Sequence, residues 1–258
     1  MMNGFSTQVR ALLDRWSLAC TPAELRRVLA DHFGQPVTLR AMEGRGAASV
    51  FCVNDPEGEP LAIVKVINRR REERSRRVNK PSPNFRFFPG SERLAREFEI
   101  LGKLAPHGLA PHPLLLAEHF ALHEYCPGAL LVEQLGRKPV EAFEAGWKAL
   151  MRVHALGVHH GDPSPQNIIN AAGGLRFIDF EHSLNEERYD FDHKMAFDYI
   201  RYCYRSWRSS SNLDVTVFRK YLLEGEGGLA GPVAEAAGEL MVSIPFDRSF
   251  LALFRGAV

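Results

Sequence analysis

Paired cysteines are missing from this chain: Cys20, Cys52, Cys126 and Cys203 lie far apart and form no C-x-x-C motif. This spacing argues against a disulfide framework or a zinc site and favours reduced thiols in a cytosolic protein. Charge of one sign is missing too. The formal net charge is +1, so no global field draws the chain to nucleic acid or an acidic membrane, and any such preference must come from local patches. No uninterrupted apolar stretch is long enough to span a bilayer, and the segment from Met1 to Arg15 lacks a basic region followed by an apolar run. These absences lead to the expectation of a soluble, cytoplasmic protein without a transmembrane segment.

What is present is ordinary globular material. The 258 residues are 45% hydrophobic and 24% charged, enough for one large domain or two small lobes. Val9, Leu12, Leu13 and Trp16 recur at helical spacing. A second helix is expected from Thr21, with Thr21 as N-cap, Pro22 as first helical residue, Glu24 as capping-box partner and Gly34 at the close. From Val37 the pattern turns to strand. Val37 to Arg40, Ser49 to Val53 and Leu61 to Ile67 are separated by turn residues, as in an antiparallel meander.

A basic stretch, Arg69 to Arg77, precedes a helix expected from near Ser91, with Leu94, Phe98 and Leu101 on its apolar stripe. Leu114 to Ala117 and Phe120 to Tyr125 are two more strand candidates. Beyond Cys126-Pro127-Gly128 the chain becomes mainly helical, with an amphipathic run from Val140 to Leu156 and a β-like island from Asn167 to Phe180. A strand-rich half carrying one helix, followed by a helix-rich half, predicts an α+β fold of two lobes with the ligand cleft between them.

The densest chemical signal is His160-Gly161-Asp162-Pro163-Ser164-Pro165-Gln166-Asn167, followed by Phe177-Ile178-Asp179-Phe180-Glu181. Transfer of a phosphoryl group needs an acceptor hydroxyl held in line, a base for its proton, and cations on the phosphate oxygens. Asp162 and Asn167 on one tight loop could supply the base and an oxygen ligand. Asp179, arriving from an adjacent strand pair, could supply a carboxylate to Mg²⁺. An isolated H-x-D would be read as a turn-capping aspartate; the asparagine and the hydrophobic-Asp-Phe downstream change that reading.

These residues resemble the catalytic loop (H-x-D-x-x-x-x-N) and the metal-binding element of the protein-kinase-like superfamily. The resemblance implies a bilobal α+β fold, with a small antiparallel-sheet N-lobe carrying one key helix and a mainly helical C-lobe. It implies ATP and Mg²⁺ as cofactors, Asp162 as catalytic base, and Asn167 and Asp179 as metal ligands. It also implies a lysine on the third strand, held by a helix glutamate. Leu61-Ala62-Ile63-Val64-Lys65 ends in such a lysine, and Glu97 fits the helix pattern E-x-x-x-L better than Glu99. The hairpin Gly44-Arg45-Gly46-Ala47-Ala48-Ser49 aligns with a phosphate-covering glycine loop, with Gly44, Gly46 and Ser49 at its key places, though a plain hairpin turn explains it equally well. Backbone groups near Glu124 and Cys126 match the adenine-pairing hinge, and Asp198, with Asp192 competing, matches the aspartate that holds the catalytic loop.

The departures narrow the class. Ser164 stands where serine/threonine protein kinases carry a lysine, and Ile178-Asp179-Phe180-Glu181 is more similar to the I-D-[FW]-E of aminoglycoside and choline phosphotransferases. The stretch from Asp179 to Asp198 is short and no A-P-E element follows. The layout also resembles bacterial lipopolysaccharide core kinases and RIO-type atypical kinases. The resemblance therefore implies residues 1–35 as a helical extension, 36–126 as a nucleotide-covering N-lobe and 127–258 as a C-lobe with catalytic loop, metal site and acceptor site. The expected activity is transfer of the γ-phosphate to a hydroxyl-bearing small molecule, sugar or glycolipid. An atypical protein kinase and a nucleotide-binding pseudokinase are the alternatives. Arg69 to Arg77 reads either as contact with an anionic ligand or as a solvated helix in which Glu72 and Glu73 pair with neighbouring arginines.

Overall fold

The structure is a computed structural model, and it describes residues 18–42, 47–78, 83–210, 212–222, 229, 231–244 and 246–252. The chain divides into two compact units, one made of residues 1–82, 87–102 and 111–126, the other of 83–86, 103–110 and 127–258. The expected α+β composition is observed: a five-stranded antiparallel sheet in the first unit and a mainly helical second unit. The helix expected over Val9 to Trp16 lies outside the described residues.

In the first unit, α1 (Pro22–Phe33) starts and stops as its end residues dictate. Thr21 and Glu24 exchange bonds in a capping box, and Gly34 closes the helix with a left-handed φ of 67°. Strands β1 (Thr38–Ala41), β2 (Ala48–Asn54), β3 (Pro60–Ile67), β5 (Pro113–Leu116) and β6 (Phe120–Glu124) follow, in sheet order β1-β2-β3-β6-β5. Successive strand residues face opposite sides of a sheet. Accordingly Ala62, Val64 and Val66 of β3 join Leu25 and Leu29 of α1 in one buried cluster. The alternate residues point the other way, where Ile67 packs with Leu94 and Phe98 of α3 (Gly90–Leu104). That alternation places Lys65 on the α3 side.

Between them, the basic stretch forms α2 (Arg69–Val78). Its Glu72 carboxylate accepts from the Gly90 amide at 2.8 Å, at the start of α3, and Arg71 Nη1 donates to the Ala48 carbonyl at 3.3 Å. Glu72 thus serves to join α2 to the next helix, a use the helical-spacing pattern does not reveal.

The second unit is built on α5 (Pro139–Ala155) and α6 (Phe191–Ser209), preceded by the short α4 (Leu131–Leu135). Phe143 stacks on Tyr202 with centroids 5.1 Å apart, and Trp147 stacks on Tyr199 at 4.4 Å. The later helices α7 (Val215–Leu222), α8 (Pro232–Ser243) and α9 (Arg248–Ala252) complete it, with Phe218 of α7 edge-on to Phe143. The β-like island resolves into a hairpin of β8 (Ile168–Ala171) and β9 (Gly174–Phe177), extended by β7 (Gly128–Leu130). A two-stranded patch, β4 (Phe85–Arg86) with β10 (Ser183–Leu184), was not legible in the sequence because each strand has only two residues. No described helix is long and apolar enough to cross a membrane.

Gly146 shows how tightly α5 and α6 meet. A Cβ there would overlap the Tyr202 hydroxyl, which donates to the Phe143 carbonyl at 3.0 Å. Gly146→Ala should therefore destabilise the protein by about 1–3 kcal/mol despite the better helix propensity of alanine. Chemical denaturation would check this, and Gly146→Ala combined with Tyr202→Phe should recover part of the loss.

Candidate active site

In the first unit, Lys65 sits in mid-sheet on β3, opposite Ala121 of β6 and Val50 of β2. Its Nζ donates to Glu97 Oε1 at 2.8 Å, and both residues are buried. The pairing follows from two periodicities. Strand alternation aims Lys65 at α3, and Glu97 falls on the same inward stripe as Leu94 and Leu101, at i+3 and i−4. Glu99, two residues on, is exposed.

Ser49 lies within β2 opposite Val66, and its hydroxyl accepts from Asn68 Nδ2 at 2.9 Å. Its place is therefore in the sheet, beyond the hairpin tip. Gly44 and Gly46 lie outside the described residues. The Glu124 amide donates to the His112 carbonyl at 2.8 Å, and its carboxylate accepts from the His112 amide at 3.1 Å. Cys126, just after β6, is buried.

In the second unit, a single buried carboxylate organises the His160 to Asn167 loop. Asp198 of α6 accepts from the His160 amide at 2.6 Å, the Gly161 amide at 2.7 Å and His154 Nε2 at 3.0 Å. Between the two candidates, Asp198 holds the loop, while Asp192 lies in the first turn of α6. Burial pushes the Asp198 carboxyl up, but the bond and charge of His154, with His159 and His160 adding, bring it below its ordinary value.

The loop's histidine is equally constrained. His160 Nε2–H donates to the Ile178 carbonyl at 3.0 Å, and its Nδ1 accepts from the Asp162 amide at 3.3 Å. These two bonds call for the neutral ring, and burial lowers its pKa against the pull of Asp198, Asp162 and Asp179. The ring stacks on Phe180 at 4.3 Å, which couples the two sequence motifs directly. Gly161 is dictated by space: at φ +84°, a Cβ would overlap the His182 carbonyl.

Asp162, Asn167 and Asp179 are brought together by short local bonds. Asn167 Nδ2 donates to the Asp162 carbonyl at 3.0 Å, which leaves Oδ1 as the acceptor end of the amide. The Ile178 amide donates to the Asn167 carbonyl at 2.9 Å, so Asp179 is the next residue after that tie. Asp179 has φ 72°, the only left-handed non-glycine backbone among the described residues. Aspartate tolerates that region better than most residues, and such conformations gather at functional sites. An amide oxygen and a carboxylate are hard oxygen donors of the kind Mg²⁺ takes alongside phosphate; the donor set fits.

Sequence reasoning missed two arginines at Asp162. Arg201 Nε donates to Asp162 Oδ1 at 2.9 Å, and Arg205 Nε stands 3.6 Å from the same oxygen. Burial raises the Asp162 pKa, but the charge and bond of Arg201, then His182 and Arg205, hold it below the ordinary carboxylate value. The signal was present: Asp198, Arg201 and Arg205 are spaced i, i+3, i+7 on one helix face.

No protein-family model and no curated protein matches the chain. Three of the solved structures similar to it are forms of one kinase domain. They include the PknI kinase domain of Mycobacterium tuberculosis in a single-mutant form, at TM-score 0.47 and 18% identity over 79% of this chain and 94% of that one. Two double-mutant forms of the same domain give TM-score 0.46 at 17% identity, covering 79% of this chain and 94% and 95% of theirs.

Asp198→Asn should test the organising role. The replacement amide presents an NH₂ to backbone N–H groups that require acceptors. Because the folded pKa of Asp198 is depressed, its contribution to stability is complete above about pH 4 and is lost as pH falls through the folded value. The variant should be less stable at neutral pH, with a shallower loss on acidification, in denaturant midpoints measured from about pH 7 down to about pH 3.

Proposed function

We propose that the chain is an ATP- and Mg²⁺-dependent phosphotransferase that moves the γ-phosphate to a hydroxyl of a small molecule, sugar or glycolipid. The observation that carries this reading is the short bonded array in the second unit. Asn167 is tied to the Asp162 carbonyl through its side chain, and its own carbonyl to the residue preceding Asp179. The proposed base and the two proposed oxygen ligands thus fall on one bonded stretch of chain, which Asp198 holds through the amides of His160 and Gly161.

In this reading Asp162 orients the acceptor hydroxyl and receives its proton. Its depressed pKa keeps it ionised at neutral pH, so it serves by position more than by basicity. Asn167 and Asp179 would hold Mg²⁺, which when bound neutralises phosphate oxygens. Lys65 would hold the ATP phosphates, with Glu97 fixing the ammonium through the 2.8 Å bond. Ser164, buried and neutral, and the short stretch between Asp179 and α6 support a small acceptor over a docked peptide.

Asp162→Ala should reduce transfer by about 10²-fold or more while Mg²⁺–ATP still raises the melting temperature. The assay is γ-labelled ATP with an acceptor panel divided among aminoglycosides, sugars, core glycolipids and proteins. Full activity in Asp162→Ala would sink the assignment; label on protein alone would move the acceptor class to an atypical protein kinase. Absence of turnover with every acceptor would favour a nucleotide-binding module without catalysis. Lys65→Met should instead weaken nucleotide binding itself, read by the same thermal shift.

A further inference from the structure

Resting on the phosphotransferase reading, we propose that Arg201 and Arg205 of α6 form an oxyanion site beside Asp162 that takes a phosphate oxygen during the reaction. Two guanidinium groups converge on one carboxylate oxygen, at 2.9 Å and 3.6 Å. Asp162 is the carboxylate that both approach, while Asp198, one turn back on α6, is bonded to the loop amides and His154. Arg205 Nε is buried and donates no hydrogen bond, the Asp162 oxygen lying just beyond reach. A buried donor left in that state is unfavourable unless a ligand satisfies it.

Arg201 also lies over the Phe197 ring, 5.9 Å from its centroid, a contact that leaves its charge unneutralised. His160 is held neutral, Ser164 is uncharged, and Asn167 is bonded to the loop. Arg201 binds Asp162 through its single Nε–H, and the two Nη groups carry the guanidinium's other four N–H donors. Both arginines also ride on a rigid element, because α6 is clamped to α5 by the stacked aromatic pairs of Phe143, Trp147, Tyr199 and Tyr202. An acceptor carrying phosphate, or the transferring phosphoryl group itself, would meet complementary charge.

The probe is inorganic phosphate, titrated calorimetrically into the 258-residue chain. Arg201→Gln and Arg205→Gln should each weaken its binding about tenfold or more, and Arg205→Lys should lose less than Arg205→Gln. Asp162→Asn should bind phosphate more tightly than the wild type, because the competing carboxylate charge is gone; a purely structural ion pair predicts no such gain. Asp162→Asn and Arg205→Lys keep the test decisive if a glutamine variant fails to fold. Equal phosphate affinity in the wild type and both glutamine variants, or no phosphate binding by the wild type at millimolar concentration, overturns the site.

Nucleotide titrations identify the source of the phosphate. Loss of ATP affinity with unchanged ADP affinity in Arg205→Gln assigns the oxyanion to the γ-phosphoryl group. Unchanged affinity for both assigns it to a phosphate on the acceptor. Failure of the wild type to bind Mg²⁺–ATP, with phosphate binding intact, would count against the phosphotransferase reading and leave the oxyanion site standing.

Discussion

The Asp198 carboxylate is the constraint on which the second unit's chemistry depends. It is fully buried, and removing a carboxylate from water costs several kcal/mol even after relaxation. Two backbone amides and an imidazole offset that cost, and all three bonds are 3.0 Å or shorter. The arrangement cannot relax in pieces. If the loop moved away, the carboxylate would lose two of its three donors; if α6 moved, the loop would lose the acceptor that shapes it.

From that anchor the constraint passes along the chain. Fixing the amides of His160 and Gly161 sets the turn in which only glycine fits against His182, and it presents Asp162 to Arg201. The neutral His160 ring carries the constraint sideways, bonding the Ile178 carbonyl and stacking on Phe180. Asp179 lies between those two residues, so its left-handed backbone is held from both sides. The aromatic stack between α5 and α6 makes the anchor itself stiff.

The first unit solves a similar problem with a different device. Lys65 and Glu97 are 32 residues apart, yet each occupies a position that its own element's periodicity aims inward. Two buried opposite charges require each other, since either alone would be an uncompensated ion in the sheet–helix core. Glu97 was readable because it shares a stripe with Leu94 and Leu101. The loss of Glu72 to the Gly90 amide was not readable, because a backbone partner 18 residues away leaves no mark in helical spacing. Gly44 and Gly46 fall outside the described residues, and Ser49 proves to be a strand residue bonded to Asn68.

By itself the sequence determined the order of elements and the types of chemistry on offer. Turn residues and 3.6-period stripes located the five sheet strands, α1, α5 and the start of α3 within a residue or two, because turn chemistry is local and the stripe is set by which face must be dry; the bounds of α6 were not read. Spacing within a loop likewise grouped Asp162 with Asn167. Only the tertiary structure decided that Asp198 rather than Asp192 holds the loop, that His160 is neutral, and that Arg201 and Arg205 meet Asp162. Each of those choices depends on a hydrogen bond or charge contact between residues about two to forty positions apart, where burial and geometry select one partner among several of the same chemical type.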